Sequence, residues 1–246
     1  NSIEIGLKWK GSLGMLHIQR SDLTSLERLE VSTNHFAQGL NFYKLFWVFF
    51  LGCFCGVLVE TLWCLATRFH YESRVGLVLG PFNLVYGLGA VVMTLGLYWM
   101  RNARDSLILI GGILIGSVVE YACSWVQQQM FGSVSWDYSA MPFNLNGRIN
   151  LLYSLFWGLL ALLWIKGIYP MMVSGILKIP NHIGRPLTWL VLGFMIFNTL
   201  LSACAISRWV DRQHDRPATT RIAFFLDHHY PDEKMHRLYA NMHFQT

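Results

Sequence analysis

Long apolar runs separated by polar connections dominate the chain. About 18 consecutive apolar residues are enough to cross the hydrocarbon core of a bilayer. Five runs reach that length, at residues 43–66, 76–100, 107–126, 149–170 and 187–210. Polar connections separate them at residues 67–74, 101–106, 127–148 and 171–186. The pattern therefore predicts an all-α integral membrane protein with five transmembrane helices.

The segments on either side of these runs are polar. Residues 1–42 form an N-terminal segment in which Thr24 and Glu27 have the spacing of a capping box, which predicts a short helix there. Residues 43–210 form the predicted membrane domain, and we expect the tail, residues 211–246, to lie outside the bilayer. Basic residues divide equally between the two sides of the predicted bundle, so the positive-inside rule leaves its orientation open.

The composition agrees with lipid as the surrounding solvent. Hydrophobic residues make up 54% of the chain and charged residues 13%, against about 25% charged in an ordinary soluble domain. The net charge of +5 comes from basic residues scattered between the apolar runs, which argues against a nucleic-acid partner. The five cysteines lie inside apolar runs, without the spacing of a disulfide framework or a zinc site.

Two stretches of the chain resemble each other in the same order. Residues 56–60 read Gly-Val-Leu-Val-Glu and residues 116–120 read Gly-Ser-Val-Val-Glu. Pro-Phe-Asn-Leu occurs at residues 81–84 and again at residues 142–145. The matches predict two tandem helix-loop-helix repeats, about residues 56–98 and 116–165, which enter the membrane from the same side. The fifth helix has no counterpart.

The repeat places polar groups at one depth in the membrane. Glu60 lies six residues before the end of its apolar run, or about 9 Å at 1.5 Å per residue. Glu120 and Asn83 reach a similar depth, and Arg148 reaches it if the fourth helix starts early. Two interpretations stay open. The glutamates are either interfacial residues that pair with Arg74 and Arg148, or they line a polar pocket, since an ionisable group in a membrane usually marks function.

The connection before the fourth helix is rich in hydrogen-bonding and aromatic side chains. Its Asp137, Asn144, Asn146 and Arg148 are candidate ligand contacts. Trp136 and Tyr138 either anchor the connection at the headgroups or join the same site. Asn146-Gly147 signals a tight turn. We expect residues 136–148 to fold over the glutamates as a lid, with Phe82 and Phe143 packed near the pseudo-axis and Asn83 beside Asn144.

Several motifs are similar to those of one family. They are Glu-Tyr at 120–121, Trp-Asp-Tyr-Ser at 136–139, Pro-Phe-Asn-Leu-Asn-Gly-Arg at 142–148, Glu-Ser-Arg at 72–74, Gly-Pro-Phe-Asn at 80–83 and Phe-Leu-Asp-His-His-Tyr-Pro-Asp-Glu-Lys-Met at 225–235. In these the chain resembles the CmpB-like ABC-transporter permeases, a family of bacterial multipass membrane proteins. It departs from the family's usual residues at Gln128, Gln129 and Ser135.

The resemblance implies a protein of the bacterial inner membrane that contacts membrane lipids. The sequence contains no Gly-x-x-x-x-Gly-Lys-Ser/Thr loop, so an ATPase, if the chain works with one, is a separate subunit. No cofactor or resident metal is predicted, because the tail residues His228, His229, Asp232, Glu233 and His236 match no established zinc spacing.

Three hypotheses of function follow. The first is transport of a small molecule or lipid bound in the polar layer. The second is an intramembrane enzyme for a lipid or polyprenyl-phosphate headgroup, with Glu120 or Glu60 as general base, Asp137 as second acid or metal ligand and Arg148 as anion clamp. The third is a scaffold or regulatory subunit.

Overall fold

The computed structural model describes residues 35–69, 71–240 and 242–244. The short helix expected near Thr24 lies outside this part of the chain. The described residues are overwhelmingly helical. The helices are α1 Phe42–Arg68, α2 Leu84–Leu97, α3 Asp105–Phe131, α4 Leu151–Leu163, α5 Tyr169–Ile176, α6 Asn181–Gln213, α7 Arg221–His229 and α8 Asp232–Leu238. A 3₁₀ turn, Tyr98–Met100, extends α2, and a π-helical turn, Trp164–Ile168, joins α4 to α5.

Four short strands complete the described structure. β1 Ser133–Val134 pairs antiparallel with β4 His243–Phe244 and so ties the tail to the segment after α3. β2 Asn144–Leu145 pairs with β3 Ile149–Asn150 in a hairpin. The predicted tight turn closes that hairpin, because Asn146 and Gly147 have positive φ and the Arg148 N–H donates to the Leu145 carbonyl.

Four helical segments are long and apolar enough to cross a bilayer. They are Phe42–Thr67, Asp105–Phe131, Leu151–Ile176 and Asn181–Gln213. The remaining predicted run, residues 76–100, contributes a shorter apolar helix, Leu84–Met100. Together these segments make the chain a multipass membrane protein.

Two predicted boundaries differ from the structure. The apolar residues 76–83 form a loop, because Gly80 has φ +77° and is followed by Pro81, a combination that α-helix does not accommodate. The predicted connection 171–186 is mostly helical, and only four residues separate α5 from α6. Pro170 closely follows the π-helical turn Trp164–Ile168, and such a local break in the hydrogen-bond ladder accommodates a proline inside a long helix.

Glycines set the spacing within two helical hairpins. A Cβ at Gly56 of α1 would lie 2.4 Å from the Cβ of Tyr86 in α2, and a Cβ at Gly116 of α3 would lie 2.5 Å from that of Trp157 in α4. One turn earlier on α1 and α3, a Cβ at Gly52 would lie 2.8 Å from the Cβ of Ala90, and a Cβ at Gly112 would lie 2.2 Å from that of Ala161. Within each hairpin, α1–α2 and α3–α4, the two helices therefore pack through small and aromatic residues of the same kind.

The tail is folded against the end of α6. Trp209 of α6 is fully buried among Leu226, Tyr230, Met235 and Tyr239 of the tail. Ion pairs reinforce this packing, since Arg208 binds Asp227 through two 2.9 Å hydrogen bonds and Arg212 binds Asp227 at 2.6 Å and Asp232 at 2.5 Å. The tail thus forms a small polar and aromatic cap on one end of the bundle.

Candidate functional site

A cavity of about 650 Å³ lies at this end of the bundle. Its walls are the last turns of α1 and α3 and the first turns of α2 and α4, and the tail covers part of it. Six of the ten candidate site residues line it, namely Glu60, Arg74, Asn83, Glu120, Trp136 and Tyr138. The other four, Asp137, Asn144, Asn146 and Arg148, are not among its lining residues.

Glu120 is the buried acid of the cavity, with 7% of its surface exposed. One carboxylate oxygen accepts a 2.9 Å hydrogen bond from the Tyr138 hydroxyl, and the other accepts a 2.9 Å bond from the Trp157 indole N–H. Both donors are neutral, and within the described residues no lysine, arginine or histidine comes within salt-bridge distance of Glu120. The predicted arginine partner is therefore replaced by two aromatic donors.

Glu60 meets the arginine that the sequence suggested. The Arg74 guanidinium lies 3.4 Å from the Glu60 carboxylate and 2.9 Å from that of Glu72, and it donates a 2.8 Å bond to the Cys64 sulfur. Arg74 thus bridges α1 and the loop of residues 69–83 at the edge of the cavity. The predicted pairing with an arginine is therefore present at Glu60 and absent at Glu120 among the described residues.

Asn83 shapes the cavity wall through the backbone. Its side-chain oxygen accepts from the Val85 N–H and caps α2, while its amide group donates to the Arg74 carbonyl. Asn150 performs the same two tasks for α4, accepting from Leu152 and donating to the Pro142 carbonyl. The residue that corresponds to Asn83 by role is therefore Asn150 rather than Asn144.

The candidate residues outside the cavity organise the long loop, residues 132–150. Asp137 accepts from the N–H and the hydroxyl of Ser139, which closes a turn. Asn144 donates to the Met141 carbonyl and accepts from the Gly147 N–H. Asn146 donates to the Tyr121 hydroxyl on α3. These polar groups hold the loop in shape and connect it to α3.

Arg148 lies along α3 instead of in the cavity. Its guanidinium donates to the Ser124 hydroxyl at 3.1 Å and to the side-chain oxygen of Gln128, and it sits 5.6 Å from the centre of the Tyr121 ring. The Trp136 indole donates to the Arg148 carbonyl at 2.9 Å. Gln128, one of the positions that departs from the family's usual residues, is therefore a partner of this arginine.

The expected packing of two equivalent phenylalanines is wrong. Phe82 is buried against Phe50, Phe54 and Phe194. Phe143 is 80% exposed and borders a second, smaller hollow on the outside of the long loop. The positive φ of Phe143 turns the loop outward there, so it covers the glutamates with Tyr138 and Trp136 but not with Phe143.

Aromatic rings form much of the cavity wall. Tyr138 of the long loop stacks on Tyr153 of α4, with ring centres 4.8 Å apart, and Tyr153 contacts Phe156 edge to face. Trp63 of α1 and Trp157 of α4 also line the cavity. Burial, and secondarily the neighbouring Glu120 carboxylate, raises the pKa of Tyr138, so its hydroxyl stays a proton donor at neutral pH.

The tail contributes residues that the sequence argument did not assign to the site. Tyr239, Ala240 and Met242 line the cavity, and the Tyr239 hydroxyl donates a 3.2 Å bond to the Gly76 carbonyl of the opposite loop. Burial raises the pKa of Tyr239. The sequence does contain one indication that the tail packs on the bundle, namely the apolar and aromatic residues within this polar segment at positions 226, 230, 235 and 239.

The fold and the cavity together define a multipass membrane protein with an acidic, aromatic-lined recess at one end of its bundle. Residues 47–203 match the family model described as "Putative ABC-transporter type IV". The match covers more than half of the chain, which therefore belongs to this family, and the family makes it a membrane protein related to transport. Comparison with curated proteins gives no match, and neither does comparison with solved structures.

Proposed function

We propose that this chain is the membrane-embedded, substrate-binding component of an ABC-type transporter of the bacterial inner membrane. The observation that carries the proposal is the convergence of Glu60 and Glu120 on one cavity from matching positions of two hairpins. A cavity of about 650 Å³ lies within the range of small-molecule sites, about 300–1,000 Å³. Sites between repeated halves are a recurrent arrangement in transporters.

We further infer that the two hairpins are copies of one unit and that α2 with its 3₁₀ turn completes a fifth crossing. The equivalent caps, Asn83 on α2 and Asn150 on α4, and the glycines at matching positions of α1 and α3, Gly56 and Gly116, support the duplication. The length of Leu84–Met100 supports the crossing, because 17 residues extend about 25 Å as a helix, close to the thickness of the hydrocarbon core.

We assign the ATP hydrolysis that would drive transport to a partner subunit. The sequence holds no phosphate-binding loop of the Gly-x-x-x-x-Gly-Lys-Ser/Thr type, and the family description relates the chain to ABC transporters. These two facts support a separate ATPase subunit that docks on the bundle.

The enzyme hypothesis has less support than transport. It needs Asp137 and Arg148 beside a catalytic glutamate, whereas Asp137 closes a turn with Ser139 and Arg148 binds α3. Neither residue lines the cavity that contains Glu60 and Glu120. Among the described residues that line this cavity, Arg74 is the only basic side chain that could bind a phosphate.

The proposal is tested by purifying the tagged chain from its native membrane in a mild detergent. We expect an ATPase subunit to co-purify and its rate of ATP hydrolysis to rise when the chain is reconstituted with extracted native metabolites. Glu120→Gln should reduce this stimulation. Asp105→Asn is the matched control, because Asp105 is a carboxylate at the other end of the same helix and pairs with Lys166. Absence of any associated ATPase would contradict the proposal.

A further inference from the structure

We propose that the cavity binds an amphipathic organic cation, and that this ligand enters sideways from the bilayer. The inference rests on the proposed function and names the substrate class of the same site. Three observations carry it: the buried carboxyl group of Glu120, the aromatic wall and the position of the cavity's rim.

The first observation is a buried carboxylate that faces the cavity and has no cationic partner among the described residues. Glu120 is 7% exposed, and the Tyr138 hydroxyl and the Trp157 N–H each donate to one of its oxygens. Both bonds satisfy the carboxylate oxygens, which accept hydrogen bonds when the group is ionised. They do not neutralise it, and a buried charge without a counter-charge is costly. A ligand cation would supply the missing charge.

The second observation is the ring chemistry beside that carboxylate. Tyr138, Tyr153, Phe156 and Trp157 line the cavity, and the first two stack on each other. The faces of such rings attract ammonium and other organic cations, and more strongly where water is excluded. A wall of rings around a carboxylate is a recurrent way to hold a quaternary or protonated amine.

The third observation places one side of the cavity against lipid. Trp63 of α1 and Phe156 and Leu160 of α4 line the cavity and are also 66%, 50% and 39% exposed. All three lie inside candidate membrane spans, so their exposed surface faces hydrocarbon. An apolar rim at this depth favours a ligand with an apolar body that partitions into the bilayer first.

The basic groups near the cavity do not favour an anion. Arg74 is the one basic side chain among the described residues that line it, and Glu60 and Glu72 both bind its guanidinium. Arg148 is directed to Ser124 and Gln128 on α3. An anionic ligand would therefore meet Glu120 without a dedicated cation to receive it.

The test compares two lipophilic ions of the same shape and opposite charge, tetraphenylphosphonium and tetraphenylborate. Equilibrium binding is measured on the full chain in nanodiscs of phosphatidylcholine, with empty nanodiscs subtracted. We expect saturable binding of the cation and none of the anion. Glu120→Gln should weaken cation binding by about tenfold, as expected for loss of a desolvated ionic contact. Asp105→Asn, which removes a carboxylate far from the cavity, should leave the affinity unchanged.

The outcomes separate the charge assignment from the existence of a site. If only tetraphenylborate binds saturably, the proposed preference for a cation is wrong, although the cavity remains a binding site. Equal affinity of the cation for wild type and Glu120→Gln overturns the role of this carboxylate. If that variant does not fold, the comparison of the two ions on wild type still decides the sign of the charge. Saturable binding of neither ion overturns the inference, while association with an ATPase tests the proposed function on its own.

Discussion

The hydroxyl of Tyr138 donates a 2.9 Å hydrogen bond to the carboxylate of Glu120, a residue 18 positions earlier in the chain. This bond connects the long loop, residues 132–150, to the interior of α3. It closes the cavity over its buried acid and positions the Tyr138 ring on Tyr153. The loop is therefore part of the binding wall and not a simple connection between helices.

Removing that hydroxyl should loosen the loop. In Tyr138→Phe the ring stays but Glu120 loses one of its two donors, and a buried charged acceptor left unsatisfied costs about 1–3 kcal/mol. We expect a lower thermal midpoint and faster proteolysis of the long loop in detergent. Tyr153→Phe keeps the ring that stacks on Tyr138 and should change both measurements little. Equal stability of wild type and Tyr138→Phe would argue against a closed loop.

The glycine contacts predict that alanine is not tolerated inside the hairpins. A Cβ at Gly116 would lie 2.5 Å from the Cβ of Trp157, and overpacking of this kind costs about 1–3 kcal/mol. Gly56→Ala, which meets Tyr86, should be destabilising by a similar amount. The control is Gly193→Ala in α6, where no atom of the described residues lies within 4 Å of the added Cβ. That change should be neutral or stabilise the helix by up to about 1 kcal/mol.

Thermal unfolding of the three variants in the same detergent measures these differences. A destabilised Gly116→Ala beside an unaffected Gly56→Ala would indicate that the two hairpins pack differently, which would weaken the proposed duplication.

The two separate donor groups of the Arg148 guanidinium should contribute more to stability than its positive charge. Its two terminal nitrogens reach different side chains on α3, Ser124 and Gln128, and a single ammonium group cannot occupy both positions. Arg148→Lys should therefore lower stability almost as much as Arg148→Ala, by about 1 kcal/mol for each bond lost. Lys166→Arg, at an exposed pair with Asp105, serves as the control and should be nearly neutral. Full stability of Arg148→Lys would show that the guanidinium acts only as a point charge.

Acid should release the tail through Asp227. The hydrogen bond from Arg208 holds the pKa of this carboxyl below its ordinary value, which is about 3.9. A carboxyl whose pKa is lower in the folded state contributes stability above the unfolded pKa and loses it as the pH falls through the folded pKa. Docking of the tail should therefore weaken as the pH falls below about 4.

Hydrogen exchange of residues 221–240 in wild type and Asp227→Asn measures this contribution. The variant should exchange faster than wild type at neutral pH, and the difference should shrink in acid. Asp211→Asn removes the more exposed pair with Arg216 and should have little effect. A difference between wild type and Asp227→Asn that grows in acid would reverse the predicted sign.

The position of the glutamates could be predicted from the sequence because helices are regular. A residue's depth follows from a rise of 1.5 Å per residue, and the matching strings around Glu60 and Glu120 place both at one level. The structure brings both to the cavity. Their role as binding residues stays a prediction.

The sequence by itself thus determined the class of protein, the longest apolar helices and the acids in the interior, since each depends on local composition and spacing. Tertiary structure alone decided which polar groups of the long loop face the cavity and which ones shape the loop. Asp137 and Asn144 satisfy neighbouring backbone groups, whereas Tyr138 reaches a helix that ended seven residues before it. Contact with the tail was decided in the same way, because Tyr239 meets Gly76 across 163 positions. Such contacts join residues that are distant in the sequence, so a local pattern of residues does not predict them.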